Sequence, residues 1–482
     1  MRVKTIISYL LIFLSFVLFY FTEWLQRYFG KVNFEQILVF LDFGTNGLLN
    51  AEEYVIEKFI QLCIYLPIIA IILIIIFNKI FYRYFNKNKF FKILSMNSFK
   101  FSIILFTFSF IYFSTQLDLQ KQFSNQKKSN FIEENYVSPK LEKIIEGKEK
   151  DLIIIYLESF QENFLSLENL DKEVVSKLNF KGFKSIKVEN FYETAYNNFT
   201  IGAIVSSQCG IPQKPIGILD PRFNKRKGNH IVDVFGLKNF LPNAICIGDI
   251  LKFNNYENIF INSTNLKFQA MDIFFKNHGY ETIIGNKYFK SKNYNNFNSW
   301  ANGVNDSSLF LEAEKLIDQI KLNKKRFSIS LLTTDTHYPG GYFDKNCLKK
   351  YKTMKKDFNF TITCTTEYLY DFVKNIINKY GDSVSIIVIG DHSNPGEKSA
   401  NPKIYNRFVN SNLTILRNEM NHFDLFPTIL DIMNVPYDNK AGLGYSVVRK
   451  NKDLNYSEYK ELLINNLEKK SDFYYEFWKK KN

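Results

Sequence analysis

Histidine and cysteine are both scarce in this chain, with five of each in 482 residues. No two cysteines stand in C-x-x-C spacing, which excludes a zinc ribbon. No internal repeat or low-complexity block occurs, which excludes a repeat array. Charge is missing altogether from residues 5–22, 59–78 and 101–117. Spanning a bilayer core takes about 20 apolar residues, with a range of roughly 17–25, so each stretch reads as a transmembrane helix. The first lacks a small-residue exit and continues Phe21-Thr22-Glu23-Trp24, so removal as a signal peptide is not expected.

Acids are absent between the second and third stretches, where Lys79, Arg83, Lys87, Lys89, Lys92 and Lys100 stand alone. Arg2 and Lys4 precede the first stretch, and the loop after it is mixed in sign. By the positive-inside rule the N-terminus and the second loop are cytoplasmic. Everything after about residue 118 is then expected outside a multi-pass inner membrane, in the periplasm or beyond. The net charge of +14 comes mostly from scattered lysines. It fits an anionic membrane surface or lipid better than nucleic acid, which is not expected as a partner. Cys63 lies within a span. Cys209, Cys246, Cys347 and Cys364 lie in the exported part and permit two disulfides in three connectivities. Cys347–Cys364 would close a short loop and Cys209–Cys246 a longer one.

Four regions follow: a membrane domain over 1–117, a polar linker over 118–150, a catalytic domain over 151–450 and a helical tail over 451–482. The tail alternates aromatic and basic residues from Tyr456 to Lys481. It reads as a terminal helix that touches the membrane or is merely solvated. From Asp151 onward, short β-branched runs alternate with helical patterns, predicting an α/β/α fold around a mostly parallel sheet.

Three of those runs break off into residues that bind metal or move protons. The run 151–157 ends in Glu158, 327–332 leads through Thr333-Thr334-Asp335-Thr336 to His337, and 384–389 leads through Gly390 to Asp391-His392. In open α/β sheets, ligands bind just beyond the carboxyl ends of the strands. Thr200 is expected to open a helix, where free N–H groups and the positive dipole end suit an alkoxide and the phosphate it attacks. Taken alone it is an ordinary N-cap threonine. Glu158, Thr200, Asp391 and His392 together offer three oxygens and one imidazole, a donor set acceptable to Mn²⁺, Mg²⁺ or Zn²⁺. His230, His278 and His422 read as structural.

The exported part resembles the phosphoglycerol transferases of osmoregulated periplasmic glucans, and beyond them lipoteichoic acid synthases and lipid A phosphoethanolamine transferases. All belong to the alkaline phosphatase/sulfatase superfamily. The resemblance is carried by Tyr156-Leu157-Glu158-Ser159, by Phe199-Thr200-Ile201-Gly202 and by Ser207-Gln208-Cys209-Gly210-Ile211-Pro212. It continues through Cys246-Ile247-Gly248-Asp249, His278-Gly279-Tyr280, Asp335-Thr336-His337-Tyr338-Pro339 and Gly390-Asp391-His392. A sulfatase would need Cys or Ser followed by x-Pro-x-Arg, and Cys209-Gly210-Ile211-Pro212-Gln213 lacks that form. The resemblance implies Thr200 as nucleophile and Glu158, Thr200, Asp391 and His392 as ligands of one divalent cation, Mn²⁺ ahead of Mg²⁺ or Zn²⁺. It implies His337 and Trp300 as substrate contacts. The expected activity is transfer of phosphoglycerol from phosphatidylglycerol to a periplasmic or surface glycan through a threonine-bound intermediate. The alternative is a phosphoethanolamine transferase acting on lipid A or a surface glycan.

Overall fold

The computed structural model describes residues 2–44, 47, 53–85, 98–124, 127–167, 170–216, 232–233, 236–294, 297–298, 302–396, 402–411, 413–451 and 454–479. Trp300 and His230 lie outside the described residues. Contacts divide the chain into two units, one of Met1–Ile37 with Glu53–Ser124 and one of Leu38–Glu52 with Asn125–Asn482.

The first unit is helical. Helix α1 (Arg2–Phe29) and helix α4 (Ser98–Gln116) run together, joined by Gln26 Nε2 to Gln116 Oε1 at 2.5 Å and by the Tyr112 hydroxyl donating to Glu23. Between them in sequence, Glu53–Phe59 passes through a wide π turn, Ile60–Tyr65, into α3 (Leu66–Phe85). Pro67 follows that turn at once and has no N–H to give a regular helix, a familiar cause of such a widening. Val3–Phe29, Glu53–Ile80 and Phe99–Gln116 are long and apolar enough to cross a membrane, by length and composition.

The second unit is an α/β/α sandwich. Its seven sheet strands are β1 (Asp151–Leu157), β2 (Ser185–Ile186), β3 (Glu257–Asn262), β4 (Thr282–Ile284), β5 (Phe327–Leu332), β6 (Val384–Gly390) and β7 (Asn406–Val409). They lie in the order β2-β7-β6-β1-β5-β3-β4. The five strands β6, β1, β5, β3 and β4 are parallel, while on one edge β7 pairs antiparallel with β6 and β2 antiparallel with β7. Strand β1 is buried along its whole length, as its unbroken apolar run requires. Leu152, Ile154 and Tyr156 face a core shared with Ile201, Ile204 and Val205 of α5 (Thr200–Cys209). Ile153, Ile155 and Leu157 face the opposite core, with Leu309 and Ile317 of α6 (Asp306–Leu322) and Phe372 and Ile376 of α7 (Phe358–Tyr380). Disulfides join Cys209 to Cys246 and Cys347 to Cys364.

Two regions pack differently from their sequence reading. Within the expected linker, Phe131, Ile132 and Ile144 are buried in the first core, and backbone bridges tie Lys128 to Lys470 and Val137 to Gly442. A few apolar residues in a polar stretch suffice once the strands leave pockets for them. In the tail, Tyr456, Tyr459, Leu463, Leu467, Tyr474, Phe477 and Trp478 are core residues. Their helical spacing is real, in α9 (Tyr456–Leu467), but the aromatic face meets protein instead of lipid.

The Ser207-Gln208 stretch works as a polar rivet between α5 and the sheet. Gln208 Nε2 donates to Tyr156 Oη and Ser330 Oγ, both at 3.1 Å, and Tyr280 donates to Gln208 Oε1 at 3.2 Å. Ser207 Oγ lies 2.8 Å from Tyr156 Oη. Every member is buried, so loss of the amide removes three hydrogen bonds from the core and leaves Tyr156 and Tyr280 with one hydroxyl partner each, Ser207 and Ser330. Gln208→Ala is expected to lower stability by about 3 kcal/mol, read as a drop in denaturation midpoint of the full chain.

Candidate active site

Register brings the site together. Leu157 of β1 pairs with Gly390 of β6, and Tyr156 pairs with Leu332 of β5, so Glu158, Asp391 and Thr333 leave the sheet side by side. Gly390 is required there: a Cβ on it would sit 1.8 Å from the Phe160 carbonyl oxygen. Ligand atoms of Glu158, Asp391 and His392 all lie within 4.8 Å of one another, and all three residues are buried. His392 Nε2 is 3.5 Å from Glu158 Oε1 and 3.4 Å from Asp391 Oδ2. Thr200 Oγ1 is 3.4 Å from His392 Nε2. Four residues from three separated segments thus meet at one point.

The local chain holds them there. Ser159 adopts φ +52°, a left-handed conformation costly for a residue with a side chain. In return its N–H donates to Asp391 Oδ1 and its hydroxyl to Glu158 Oε1, both at 2.7 Å. Thr333 Oγ1 accepts from Glu158 N at 3.0 Å, and the Thr336 hydroxyl donates to the Glu158 carbonyl at 2.5 Å. His392 Nδ1–H donates to the Ser393 carbonyl at 2.8 Å, which leaves Nε2 facing Thr200 and the carboxylates. Thr200 is the first residue of α5, and Ile201 N–H donates to Gln269 Oε1 at 2.9 Å. Gly202 admits the close approach of Tyr196, whose carbonyl oxygen would lie 2.3 Å from a Cβ.

The electrostatics call for a cation. Burial and the Glu158 charge push the Asp391 carboxyl up to about 7. Burial opposes the charged imidazole of His392, but the carboxylates of Asp391, Glu158 and Glu193 outweigh it and hold the ring up at about 9. Asp391 Oδ2 is buried and has no hydrogen-bond partner. Among the described residues no lysine or arginine pairs with Glu158 or Asp391. An orphaned carboxylate oxygen, a second carboxylate, an imidazole lone pair and a hydroxyl form a donor set that fits a divalent cation.

The remaining histidines have other work. His422 opens helix α8 (His422–Ile432) and is driven down to about 3 by burial. Its neutral ring donates from Nε2 to the Asp391 carbonyl at 2.7 Å. His278 spends both nitrogens, on Asp249 Oδ2 and the Phe240 carbonyl, each at 3.0 Å. Cys209 and Cys246 lie close to it but are bonded to each other. His337 sits half-buried in the loop after β5, with Nδ1 donating to the Tyr338 carbonyl at 2.6 Å.

One residue was missed by sequence reasoning. Glu193 accepts from both the N–H and the hydroxyl of Ser393, the latter at 2.9 Å, and so steadies the carbonyl that orients His392. Burial raises its carboxyl. It lies in the irregular stretch before Thr200, where no periodicity marks it.

The α/β/α sheet thus carries a helix-start hydroxyl and a buried carboxylate–imidazole cluster at its carboxyl edge. The family model described as Sulfatase matches residues 150–435, more than half of the chain, and the chain belongs to that family. Phosphoglycerol transferase I of Escherichia coli is 30% identical over 320 residues, covering 61% of this chain and 38% of that protein. The chain therefore spans well under half of that relative's length. An alkaline phosphatase superfamily protein from Vibrio parahaemolyticus is similar at 19% identity and a TM-score of 0.49, over 66% of this chain and 75% of that one. The lipoteichoic acid synthase LtaP from Listeria monocytogenes is similar at 15% identity and a TM-score of 0.47, over 64% and 79%.

Outer residues that orient a metal-binding histidine typically contribute about 10–100-fold to metal affinity. Glu193→Gln is expected to weaken Mn²⁺ binding about tenfold, measured by titration calorimetry on the full chain.

Proposed function

We propose that this chain is a membrane-anchored phosphoglycerol transferase that takes its group from phosphatidylglycerol and passes it to a glycan hydroxyl. The observation that carries this is the Thr200 hydroxyl at a helix start, 3.4 Å from His392 Nε2 and beside two buried carboxylates. The similarity to phosphoglycerol transferase I supports the choice of head group. The uncharged helices and the lysine-rich second loop support an inner-membrane anchor with the α/β unit outside. Two disulfides in that unit agree with an oxidising compartment.

Glu158, Asp391, His392 and Thr200 would hold one divalent cation, Mn²⁺ first by the resemblance noted above. When bound, it supplies positive charge that acidifies a hydroxyl and neutralises phosphate oxygens. In the first half-reaction Thr200 Oγ1 gives up its proton as it attacks the phosphorus, the bond to the diacylglycerol oxygen breaks, and that oxygen takes up a proton. In the second, an acceptor hydroxyl gives up its proton as it attacks the same phosphorus, and Thr200 Oγ1 leaves and regains a proton. The positive dipole end at the start of α5 favours the anionic group in both steps. His337 we assign to proton transfer or to a phosphate contact. Holding the site on a membrane anchor keeps it near a donor that stays in the bilayer.

Thr200→Ala is expected to abolish transfer, a loss of at least about 10³-fold, while the denaturation midpoint stays within a few degrees of wild type. Wild-type protein quenched during turnover should carry a phosphoglycerol group on the peptide containing Thr200, seen by mass spectrometry. Diacylglycerol released from labelled phosphatidylethanolamine and not from phosphatidylglycerol would overturn the head-group assignment in favour of phosphoethanolamine transfer.

A further inference from the structure

A phospholipid donor must place more than its phosphate, and none of the residues named so far receives its apolar end. Three phenyl rings stand at the start of the nucleophile helix. Phe199 directly precedes Thr200, and its ring centroid lies 6.0 Å from that of Phe40. Phe40 in turn stacks on Phe268, with centroids 5.9 Å apart and planes 11° from parallel. Phe268 directly precedes Gln269, the side chain that accepts from Ile201 N–H. Phe199 is buried, whereas Phe40 and Phe268 are only half-buried.

Two further observations set this cluster apart from ordinary core. Gln269 and Ala270 are consecutive non-glycine residues in the left-handed region, at φ +59° and +53°. Such a conformation is costly for a residue with a side chain, and strain of this kind collects at ligand sites. Here the strained turn fixes Phe268 and the Gln269 contact to α5 together. Phe40 is also held deliberately. It lies in α2 (Phe34–Asp42), next to the fully buried Val39 and three residues before the fully buried Phe43. Asp42 Oδ2 accepts from Ile216 N at 2.5 Å. The segment Leu38–Glu52 belongs to the α/β unit although apolar helices precede and follow it in the chain.

Among the described residues no cationic side chain lies over any of the three rings, and none of the rings carries a hydroxyl. That chemistry suits methylene groups. Resting on the lipid-donor reading above, we propose that Phe40, Phe199 and Phe268 form an acyl-side subsite, which receives the glycerol backbone and first methylenes of the phospholipid donor while its phosphate meets Thr200.

The test uses the full-length chain in mixed micelles, with Phe268→Ala and the milder Phe40→Leu. Donors are dioleoyl phosphatidylglycerol and the acyl-free glycerophosphoglycerol. The preference for the lipid, as a ratio of kcat/KM values, should fall about tenfold in Phe268→Ala, through KM more than kcat. An unchanged ratio overturns the subsite. Independently, full-length Thr200→Ala in vesicles of phosphatidylglycerol bearing a photoreactive acyl group near the glycerol should take up label on peptides containing Phe40 or Phe268. Label confined to the three apolar helices overturns it as well. If the wild type releases no diacylglycerol from phosphatidylglycerol yet label appears at Phe40, the head-group reading fails and the subsite stands.

Discussion

Two carboxylates buried side by side, with only the His392 ring and, among the described residues, no lysine or arginine to answer them, are the constraint around which this molecule is organised. Parallel pairing of β1 with β6 sets Glu158 next to Asp391, and neither can move without breaking the central ladder of the sheet. The cost of that arrangement is spread over neighbours that have no chemical role of their own. Ser159 accepts a strained backbone to donate twice, Thr333 and Thr336 clamp the Glu158 main chain, and His422 stays neutral to hold the Asp391 carbonyl. Like charges crowded in a dry place favour whatever supplies opposite charge, and a divalent cation does so with the donors present.

Thr200 depends on the same frame through a different route. Its helix is not held by capping side chains of its own. It is held from below by the Gln208–Tyr156–Tyr280–Ser330 network and from the side by Gln269. The most specific stretch of the resemblance, Ser207 to Pro212, therefore acts mechanically: it seats the helix so that its first hydroxyl meets His392. A signature sequence need not touch substrate to be indispensable to the chemistry.

The central strands and the edge they lead to were legible because an apolar β-branched run buried on both faces has few other readings, and because each ended abruptly in rare ligating residues. Thr200 was legible as a helix start, and the resemblance added its role. Glu193 was not, because it acts from an irregular segment through the backbone of Ser393. The tail was misread because aromatic and basic alternation looks alike whether the rings meet lipid or core. Phe131 and Ile132 were too few to mark a packed segment in sequence, yet enough to fill pockets left by the strands.

The aromatic chain through the first core has a consequence for how the protein is made. Phe43 packs on Phe240 with centroids 5.6 Å apart, and Phe240 packs on Trp478 at 5.3 Å. Phe43 and Trp478, far apart in sequence, thus share one contact cluster. The α/β unit cannot close its core until the segment carrying Trp478 joins the one carrying Phe43. Until then Phe43 and its neighbours wait with apolar surface uncovered, and nascent chains halted before the tail are the species most exposed to aggregation and quality-control proteolysis.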